Sequence, residues 1–215
     1  MSLDSKKIPR FRLYREIERG EFFVVFGDTA QGGVDKNFTQ FASKTKLDIP
    51  LVMSMRGVAA EATPYIHQAL EWIYDKTGVK PVFAFETNNG GSSEMYRLMQ
   101  MNNGKYELYR GYKANSRERS DKLGWDTNES SRAKMLGEWK IAFDNQQIKL
   151  YDDETIEHHQ TFITNTRGRP EADANTHDDG VMSCAGVNQL LRTENPTIET
   201  DSSAIVDSGI SSFIY

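Results

Sequence analysis

The fold is decided by residues 22–33, which read Phe22-Phe23-Val24-Val25-Phe26-Gly27-Asp28-Thr29-Ala30-Gln31-Gly32-Gly33. Five consecutive large apolar residues predict a strand buried on both faces, as found in the middle of a covered sheet. The strand ends at the carboxylate of Asp28 and a turn that contains a glycine pair. Open α/β sheets bind their ligands at the carboxyl ends of the strands, so Asp28 is a candidate site residue.

A second stretch has the same form. Residues 81–91 read Pro-Val-Phe-Ala-Phe-Glu-Thr-Asn-Asn-Gly-Gly, a short apolar run followed by one acid, small polar residues and two glycines. The acid is Glu86. Two strands that each end in a carboxylate can direct both side chains at one metal ion.

Composition describes a soluble globular protein of 215 residues, 38% hydrophobic and 27% charged, which suits one domain with a sizeable core. No apolar run approaches the roughly 20 residues that a membrane span needs, and the N-terminus does not read as a signal peptide. The single cysteine, Cys184, excludes an internal disulfide and a zinc finger. We therefore expect a protein of a reducing compartment that is neither secreted nor membrane-bound.

The chain divides into three parts by composition. Residues 1–20 are polar and basic without a period and predict an arm or linker. Residues 21–193 carry the periodic segments and predict a single folded domain. Residues 194–215 are rich in Ser, Thr, Asp and Ile and predict a flexible C-terminal tail.

Three strands are predicted in the first third of that domain, at residues 22–26, 37–45 and 50–56, with antiparallel pairing. They are followed by a helix that Thr63 caps, Pro64 opens and Gly78 ends, then a strand over 82–86, a helix over 92–101 and a strand over 106–110. The alternation of strands and helices predicts right-handed parallel crossovers. The expected fold class is therefore α/β, a mixed five-stranded sheet with helices on both faces.

The remaining segments are mostly helical. Helices are predicted over about 128–143, 152–162 and 178–192, with a short strand at 148–151 between the first two. Residues 111–126 are polar, charged and without a period, and predict a loop.

The last helix begins with a third acidic cluster, His177-Asp178-Asp179. One interpretation is helix N-capping, but capping needs one acid and two are present. Small residues in the helix would let it pack closely on the sheet and bring these acids to the strand ends. Asp35 could approach the same place, or could be an ordinary turn residue.

Converging carboxylates repel one another unless a cation neutralises them. Oxygen ligands without sulfur suit hard ions such as Mg²⁺ or Mn²⁺. Two such ions roughly 3.5 to 4 Å apart can activate a water and stabilise the leaving oxygen of a phosphodiester. The alternative is a set of unrelated surface acids.

Basic residues are concentrated locally although the net charge is −5. Residues 105–122 hold six basic side chains against three acids. Lys113, Arg117, Arg119 and Lys122 are the candidates for gripping DNA phosphates without reading sequence, and a solvated loop is the alternative.

The order of these motifs resembles the nuclease domain of tailed-phage terminase large subunits, over roughly residues 20–192. The motifs are Gly27-Asp28 with its Gly-rich turn, Phe85-Glu86, and a late His177-Asp178-Asp179. The resemblance implies a ribonuclease-H-like fold and a two-metal endonuclease that cuts concatemeric double-stranded viral DNA during packaging, with little sequence specificity.

The resemblance also implies roles for single residues. Asp28, Glu86 and one of Asp178 or Asp179 would be the metal ligands, with Asp179 favoured as the direct ligand and His177 supporting them. The implied partners are double-stranded DNA, the terminase ATPase domain, the small terminase subunit and the portal protein. The implied location is the cytoplasm of the infected bacterium.

One departure from that family concerns the packaging motor. The phosphate-binding motif GxxxxGK[ST] does not occur in the sequence, so we do not expect ATPase activity from this chain. The alternatives that stay open are a Holliday-junction resolvase or an RNA-hybrid nuclease of the same fold, and a non-catalytic domain that docks to DNA or to the portal.

Overall fold

The computed structural model describes residues 9–88, 90–113, 116–165, 170–174 and 176–197, apart from the side chains of residues 31, 33 and 34. Two of the expected segments fall partly outside these ranges. Residues 1–8 of the expected arm and 198–215 of the expected tail lie outside the described residues.

A six-stranded mixed sheet forms the centre of the domain, in the order β1-β4-β3-β2-β5-β6. Its strands are β1 (Arg10–Leu13), β2 (Phe23–Asp28), β3 (Gln31–Ser43), β4 (Asp48–Val58), β5 (Val82–Phe85) and β6 (Glu107–Leu108). The neighbouring pairs β1–β4, β4–β3 and β3–β2 are antiparallel, whereas the pairs β2–β5 and β5–β6 are parallel. The mixed sheet predicted from the sequence is confirmed, with one strand more than the five expected.

The additional strand, β1, lies in the segment expected to be an arm. It pairs with β4 at the edge of the sheet. Arg12 Nη2 donates to Asp152 Oδ2 at 3.0 Å, and the Tyr14 hydroxyl donates to Asp152 Oδ1 at 2.6 Å. Polar contacts to a residue distant in sequence hold this strand, and mostly exposed side chains leave no periodic pattern to read.

Five helices cover the two faces of the sheet in the described part of the chain: α1 (Ala59–Thr77), α2 (Gly91–Met101), α3 (Glu129–Asp144), α4 (Asp153–Gln160) and α5 (Asp179–Thr193). α1 and α2 share one hydrophobic core with the sheet. α5 lies on the opposite face against β2 and β3, and α3 and α4 contact α5. No helix in the described ranges is long and apolar enough to cross a bilayer.

The start of α1 differs from the prediction. The helix begins at Ala59, so Pro64 lies inside it rather than in its first turn. A proline has no N–H to donate to the carbonyl four residues earlier. That carbonyl, on Ala60, accepts instead from Arg97 Nη1 at 2.8 Å. The predicted end at Gly78, with φ of 73°, is confirmed.

The segment 111–126 is not a plain loop. It contains most of an antiparallel hairpin, β7 (Arg110–Tyr112) and β8 (Arg119–Leu123), called here the 110–123 hairpin. The Arg119 guanidinium lies over the Tyr112 ring, 4.2 Å from its centroid. The hairpin was not predicted because its strands pair through such contacts and lack an alternation of apolar residues. Similarly, β9 (Phe162–Thr164) and β10 (Pro170–Ala172) pair without having been predicted. The prediction of a strand at 148–151 is wrong, because only Lys149 of this segment forms a β-bridge, an isolated one to Asp48.

Close packing of α5 on the sheet determines where the third acidic cluster lies. A Cβ placed on Gly186 would meet ring atoms of Phe26 at 2.3 Å, so only glycine fits at this crossing. Ala185 is fully buried in the same interface. The first turn of α5 consequently lies beside the end of β2, as the small residues predicted.

Candidate metal centre

A cleft of about 760 Å³ opens at the carboxyl ends of β2 and β5. The four acids singled out in the sequence all line it, together with several neighbours: Asp28, Glu86, Asp178, Asp179, Thr29, Ala30, Asp35, Asn88, Arg132, Thr176, His177 and Met182. Three separate elements, β2, β5 and α5, thus bring their carboxylates to one place.

Asp28 is the last residue of β2, is partly buried, and lines the cleft. Burial raises the pKa of Asp28 well above its usual range, and the nearby charges of Glu86 and Asp179 raise it further. Gly27 lets β2 and β5 approach here, because a Cβ on it would meet the Phe85 ring at 2.6 Å. The Asp28 carboxylate therefore sits in an environment that favours a proton or a cation.

Glu86 follows β5 and is nearly buried. Its Oε1 accepts from Asn88 Nδ2 at 2.9 Å, which orients the carboxylate. Gly90, with φ of 90°, precedes α2, and a Cβ on Gly91 would lie 1.8 Å from the Glu86 carbonyl oxygen. The glycine pair seen in the sequence therefore serves the tight turn from Glu86 into α2.

Asp178 holds the N-cap position of α5 but makes no capping hydrogen bond with its side chain among the described residues. Its Oδ2 accepts instead from Arg132 Nη2 at 3.0 Å. The capping interpretation therefore does not account for this carboxylate.

Asp179 is the first residue of α5, and its side chain is 14% exposed. Burial raises the pKa of Asp179 to about 7, with further contributions from Asp178 and Asp35. Within the described ranges its Oδ2 is buried without a hydrogen-bond partner. A buried carboxylate oxygen left unpaired is costly, and it is available to a cation.

Two further residues complete the acidic wall of the cleft. His177 Nδ1 lies 4.0 Å from Asp179 Oδ2 and 4.0 Å from Asp35 Oδ1. Asp35, the turn residue, does line the cleft. The imidazole is placed between the two carboxylates and can hydrogen-bond either after a small movement.

Three supporting residues were missed by the sequence analysis: Arg132, Asn88 and His158. His158 Nδ1 accepts from the backbone N–H of Gly180 at 2.9 Å and so fixes the first turn of α5. Burial lowers the pKa of His158, which keeps the ring neutral and able to accept. Arg132 and His158 had no detectable signal, because each contacts a residue far away in the sequence, whereas Asn88 stands two residues after Glu86 in the stretch quoted above.

The donor set fits a hard divalent cation in kind. It offers carboxylate oxygens without sulfur, one of them buried and unpaired. As they are placed in the structure, the described residues contain no group of three or more His, Cys, Asp or Glu side chains that could hold a metal ion. Burial is the main cause of the raised pKa of Asp28, and repulsion from Glu86 and Asp179 adds to it; a divalent cation would offset this repulsion and let the carboxylates approach one another.

The four predicted DNA-contacting residues lie on or beside the 110–123 hairpin, outside the cleft lining. Lys113 pairs with Glu118 at 3.0 Å, and Arg117 and Lys122 are exposed. Arg119 instead pairs with the buried Glu194 at 2.7 Å. Arg119 therefore holds the hairpin to the segment after α5.

The hairpin and the cleft share an edge of the sheet. β7 continues from β6, which runs parallel to β5, so the hairpin leaves the sheet at the end that carries Glu86. Just after β8, the backbone N–H of Trp125 donates to the backbone carbonyl of Phe85 at 2.8 Å, and Trp125 forms a parallel β-bridge with Glu86. The hairpin base is thereby joined to the strand end that carries the acid.

Known proteins similar to this chain are found by structure and not by sequence. No protein-family model matches the chain, and no curated protein matches it. The large terminase nuclease of thermophilic phage G20c with bound magnesium has a TM-score of 0.59 at 14% identity, over 83% of this chain and 84% of that one. The same nuclease with bound cobalt gives 0.59 at 15% identity, over 83% and 84%.

A nuclease from a second phage agrees. The large terminase nuclease domain of Thermus phage P74-26 has a TM-score of 0.58 at 13% identity, over 84% of this chain and 85% of that one. The fold of this chain thus matches that of a large terminase nuclease domain, and both the α/β fold class predicted from the strand pattern and the ribonuclease-H-like fold implied by the resemblance are confirmed.

Proposed function

We propose that this chain is a metal-dependent endonuclease that cuts concatemeric double-stranded DNA during viral genome packaging. The observation that carries the proposal is the cleft in which Asp28, Glu86, Asp178 and Asp179 converge from three elements. The fold shared with large terminase nucleases supports the same reaction class, although fold alone does not establish a function.

The cofactor we propose is a pair of Mg²⁺ or Mn²⁺ ions. The G20c nuclease binds magnesium and cobalt in its crystals, and the oxygen-only donors of the present cleft suit such ions. Asp28, Glu86 and Asp179 would hold them, with Asp178 beside Asp179. When bound, two ions of this kind supply an activated water and stabilise the leaving oxygen of the phosphodiester.

The residues around the acids keep these side chains in position. Asn88 orients Glu86 through its side-chain amide, and the backbone carbonyl of Asn88 accepts from Thr29 Oγ1 at 3.2 Å. This contact joins the turn after β2 to the turn after β5. His177, between Asp35 and Asp179, would steady the Asp179 carboxylate by a hydrogen bond. Because the pKa values of Asp28 and Asp179 are raised, metal binding near neutral pH would displace protons from them.

DNA would be gripped by phosphate contacts that carry no sequence information. Lys113, Arg117 and Lys122 are exposed on or beside the 110–123 hairpin, at the edge of the sheet where the cleft opens. Such contacts position a duplex without selecting bases, which fits a nuclease with little sequence preference. We further propose the terminase ATPase domain, the small subunit and the portal as partners within a packaging complex.

The experiment that tests the proposal is plasmid nicking and linearisation in Mg²⁺, in Mn²⁺ and in EDTA. Asp28→Asn is the test variant, and Asp144→Asn is the control, because Asp144 is exposed and pairs with Lys140 away from the cleft. We expect cleavage by the wild type and the control only with metal, and none by Asp28→Asn. Four-way junctions and RNA–DNA hybrids in the same assay test the alternative substrates.

Absence of cleavage with either ion, or full activity of Asp28→Asn, would overturn the proposal. Clear preference for junctions or for the RNA strand of a hybrid would keep the fold's reaction class and replace the substrate.

A further inference from the structure

One cationic side chain projects into an otherwise acidic cleft. Among the lining residues that the structure describes, Arg132 is the only arginine or lysine, against five carboxylates. A cleft of this charge repels a phosphodiester. The divalent ions proposed above would offset part of this negative charge, and Arg132 adds a positive charge beside them that can contact a phosphate.

Arg132 stands on a firm support. It lies in the first turn of α3, where Asn128 and Ser131 form a reciprocal cap, with Asn128 Oδ1 accepting from the Ser131 N–H at 2.9 Å. Asn88 Nδ2 also donates to the Thr127 carbonyl at 3.1 Å. The start of α3 is thus tied to the loop that orients Glu86, and the guanidinium reaches from there to Asp178 on α5.

The pair between Arg132 and Asp178 leaves the guanidinium able to take a second partner. The side chains are 36% and 33% exposed, so solvent weakens their attraction. Arg132 Nη2 makes the one bond to Asp178 that the structure gives in the described residues. Since a guanidinium carries five N–H donors in a planar fork, it can also bind a phosphate in bidentate fashion.

We propose that Arg132 binds a non-bridging oxygen of the phosphate that is cut and stabilises the negative charge that develops there. This inference rests on the proposed nuclease function and assigns a substrate contact within that site. A cation bound beside Asp178 would weaken the attraction between this carboxylate and Arg132, and the guanidinium could then bind the phosphate. The competing role is purely positional, in which Arg132 only holds Asp178 and the start of α5 in place.

The test compares Arg132→Gln and Arg132→Lys with the wild type. Lys134→Gln is the matched control, because Lys134 lies on the same helix with its side chain 73% exposed and outside the cleft lining. Single-turnover cleavage is measured over a range of Mn²⁺ concentrations that reaches saturation for the wild type, together with the apparent KM for DNA and the Mn²⁺ dissociation constant by calorimetry.

Removing one donor to a developing negative charge typically lowers the rate by about 100-fold or more. We expect a loss of that order in Arg132→Gln, partial recovery in Arg132→Lys, and an unchanged rate in Lys134→Gln. The dissociation constant for Mn²⁺ should be unchanged or smaller in Arg132→Gln, because a cation has been removed from beside the ion. A positional role predicts the opposite, weaker metal binding.

Three results would overturn the inference: cleavage by Arg132→Gln within threefold of the wild type, a rate that recovers as Mn²⁺ is raised, or metal binding weakened in proportion to the rate. If Arg132→Gln does not fold, Arg132→Lys decides by the same criteria, with a loss of at least tenfold at intact metal affinity as the expected result. Failure of the wild type itself to cut DNA would refute the proposed function instead, so the two failures are distinguishable.

Discussion

Replacing Asp179 by Asn should stabilise the metal-free protein, which is unusual for a substitution of a buried polar residue. Burial and the charges of Asp178 and Asp35 raise the pKa of Asp179 from 3.8 to about 7. Each tenfold change in proton affinity corresponds to about 1.4 kcal/mol, so the ionised carboxylate costs the folded state up to about 4 kcal/mol above pH 7. An amide removes that cost but retains part of the desolvation, and we expect a gain of about 2–4 kcal/mol.

The pH dependence gives the prediction its sign. Between about pH 4 and pH 7 the folded wild type holds a proton on Asp179 that the unfolded chain has released. The contribution of Asp179 to wild-type stability therefore falls as the pH rises through this window and stays constant above it. The advantage of Asp179→Asn should be small at pH 4 and reach its full size by pH 8.

Thermal unfolding in EDTA at several pH values is the assay. At roughly 2–4 °C per kcal/mol for a domain of this size, the melting temperature of the variant should exceed that of the wild type by about 5–15 °C at pH 8. Asp144→Asn, which removes an exposed carboxylate, is the control and should stay close to the wild type. Saturating Mn²⁺ should stabilise the wild type more than the variant, because binding to the folded state adds stability by mass action.

A melting temperature of Asp179→Asn at or below that of the wild type at pH 8 in EDTA would refute the reasoning. So would a difference that does not change between pH 4 and pH 8.

Three further predictions concern the packing of α5, the anchoring of the 110–123 hairpin and the contacts that hold β1. Gly186→Ala should lower the free energy of unfolding, measured by urea titration, by about 1–3 kcal/mol and should weaken Mn²⁺ binding. The reason is that a Cβ at this position would meet the Phe26 ring of β2 at 2.3 Å. An unchanged unfolding free energy and metal affinity would contradict the packing argument. Arg119→Ala should lower the free energy of unfolding by about 1–3 kcal/mol, because Glu194 is left buried without its ion-pair partner. Arg117→Ala should instead weaken DNA binding in low salt without changing the melting temperature. Equal melting temperatures of the two variants would contradict these different roles. Burial alone would raise the pKa of Asp152, but its hydrogen bonds, chiefly that from Arg12, lower the pKa to about 2. Asp152 should therefore add about 2–3 kcal/mol to the free energy of unfolding above pH 4, and this contribution should be lost as the pH falls toward 2. Acid unfolding of Asp152→Asn should lack this pH dependence.

The strand ends that carry Asp28 and Glu86 could be predicted because each follows a continuous apolar run, and such runs occur where a strand is covered on both faces. The approach of α5 was also readable, because Gly186 and its small neighbours specify close contact before any partner is known. The two apolar strands and the small residues of α5 together determine the positions of the three elements that form the cleft, β2, β5 and α5. The convergence of the acids followed from local sequence and the geometry of parallel strands.

The remaining features depend on contacts between residues far apart in the chain. β1 is held by Arg12 and Asp152, which are 140 residues apart, so nothing within the strand itself announces it. Arg132 and Asp178 are 46 residues apart, and neither a motif nor a period connects them. The helix start before Pro64 was misread because the freed carbonyl finds its donor, Arg97, on another helix.

The most direct test of the central claim is anomalous diffraction at the manganese edge from crystals of this chain grown or soaked with Mn²⁺. We predict one or two peaks in the cleft, each within about 2.0–2.3 Å of carboxylate oxygens of Asp28, Glu86 or Asp179, and their absence in Asp28→Asn crystals. A wild-type map without a peak between β2, β5 and α5, or with manganese bound only elsewhere, would contradict the assignment of these acids to a metal centre.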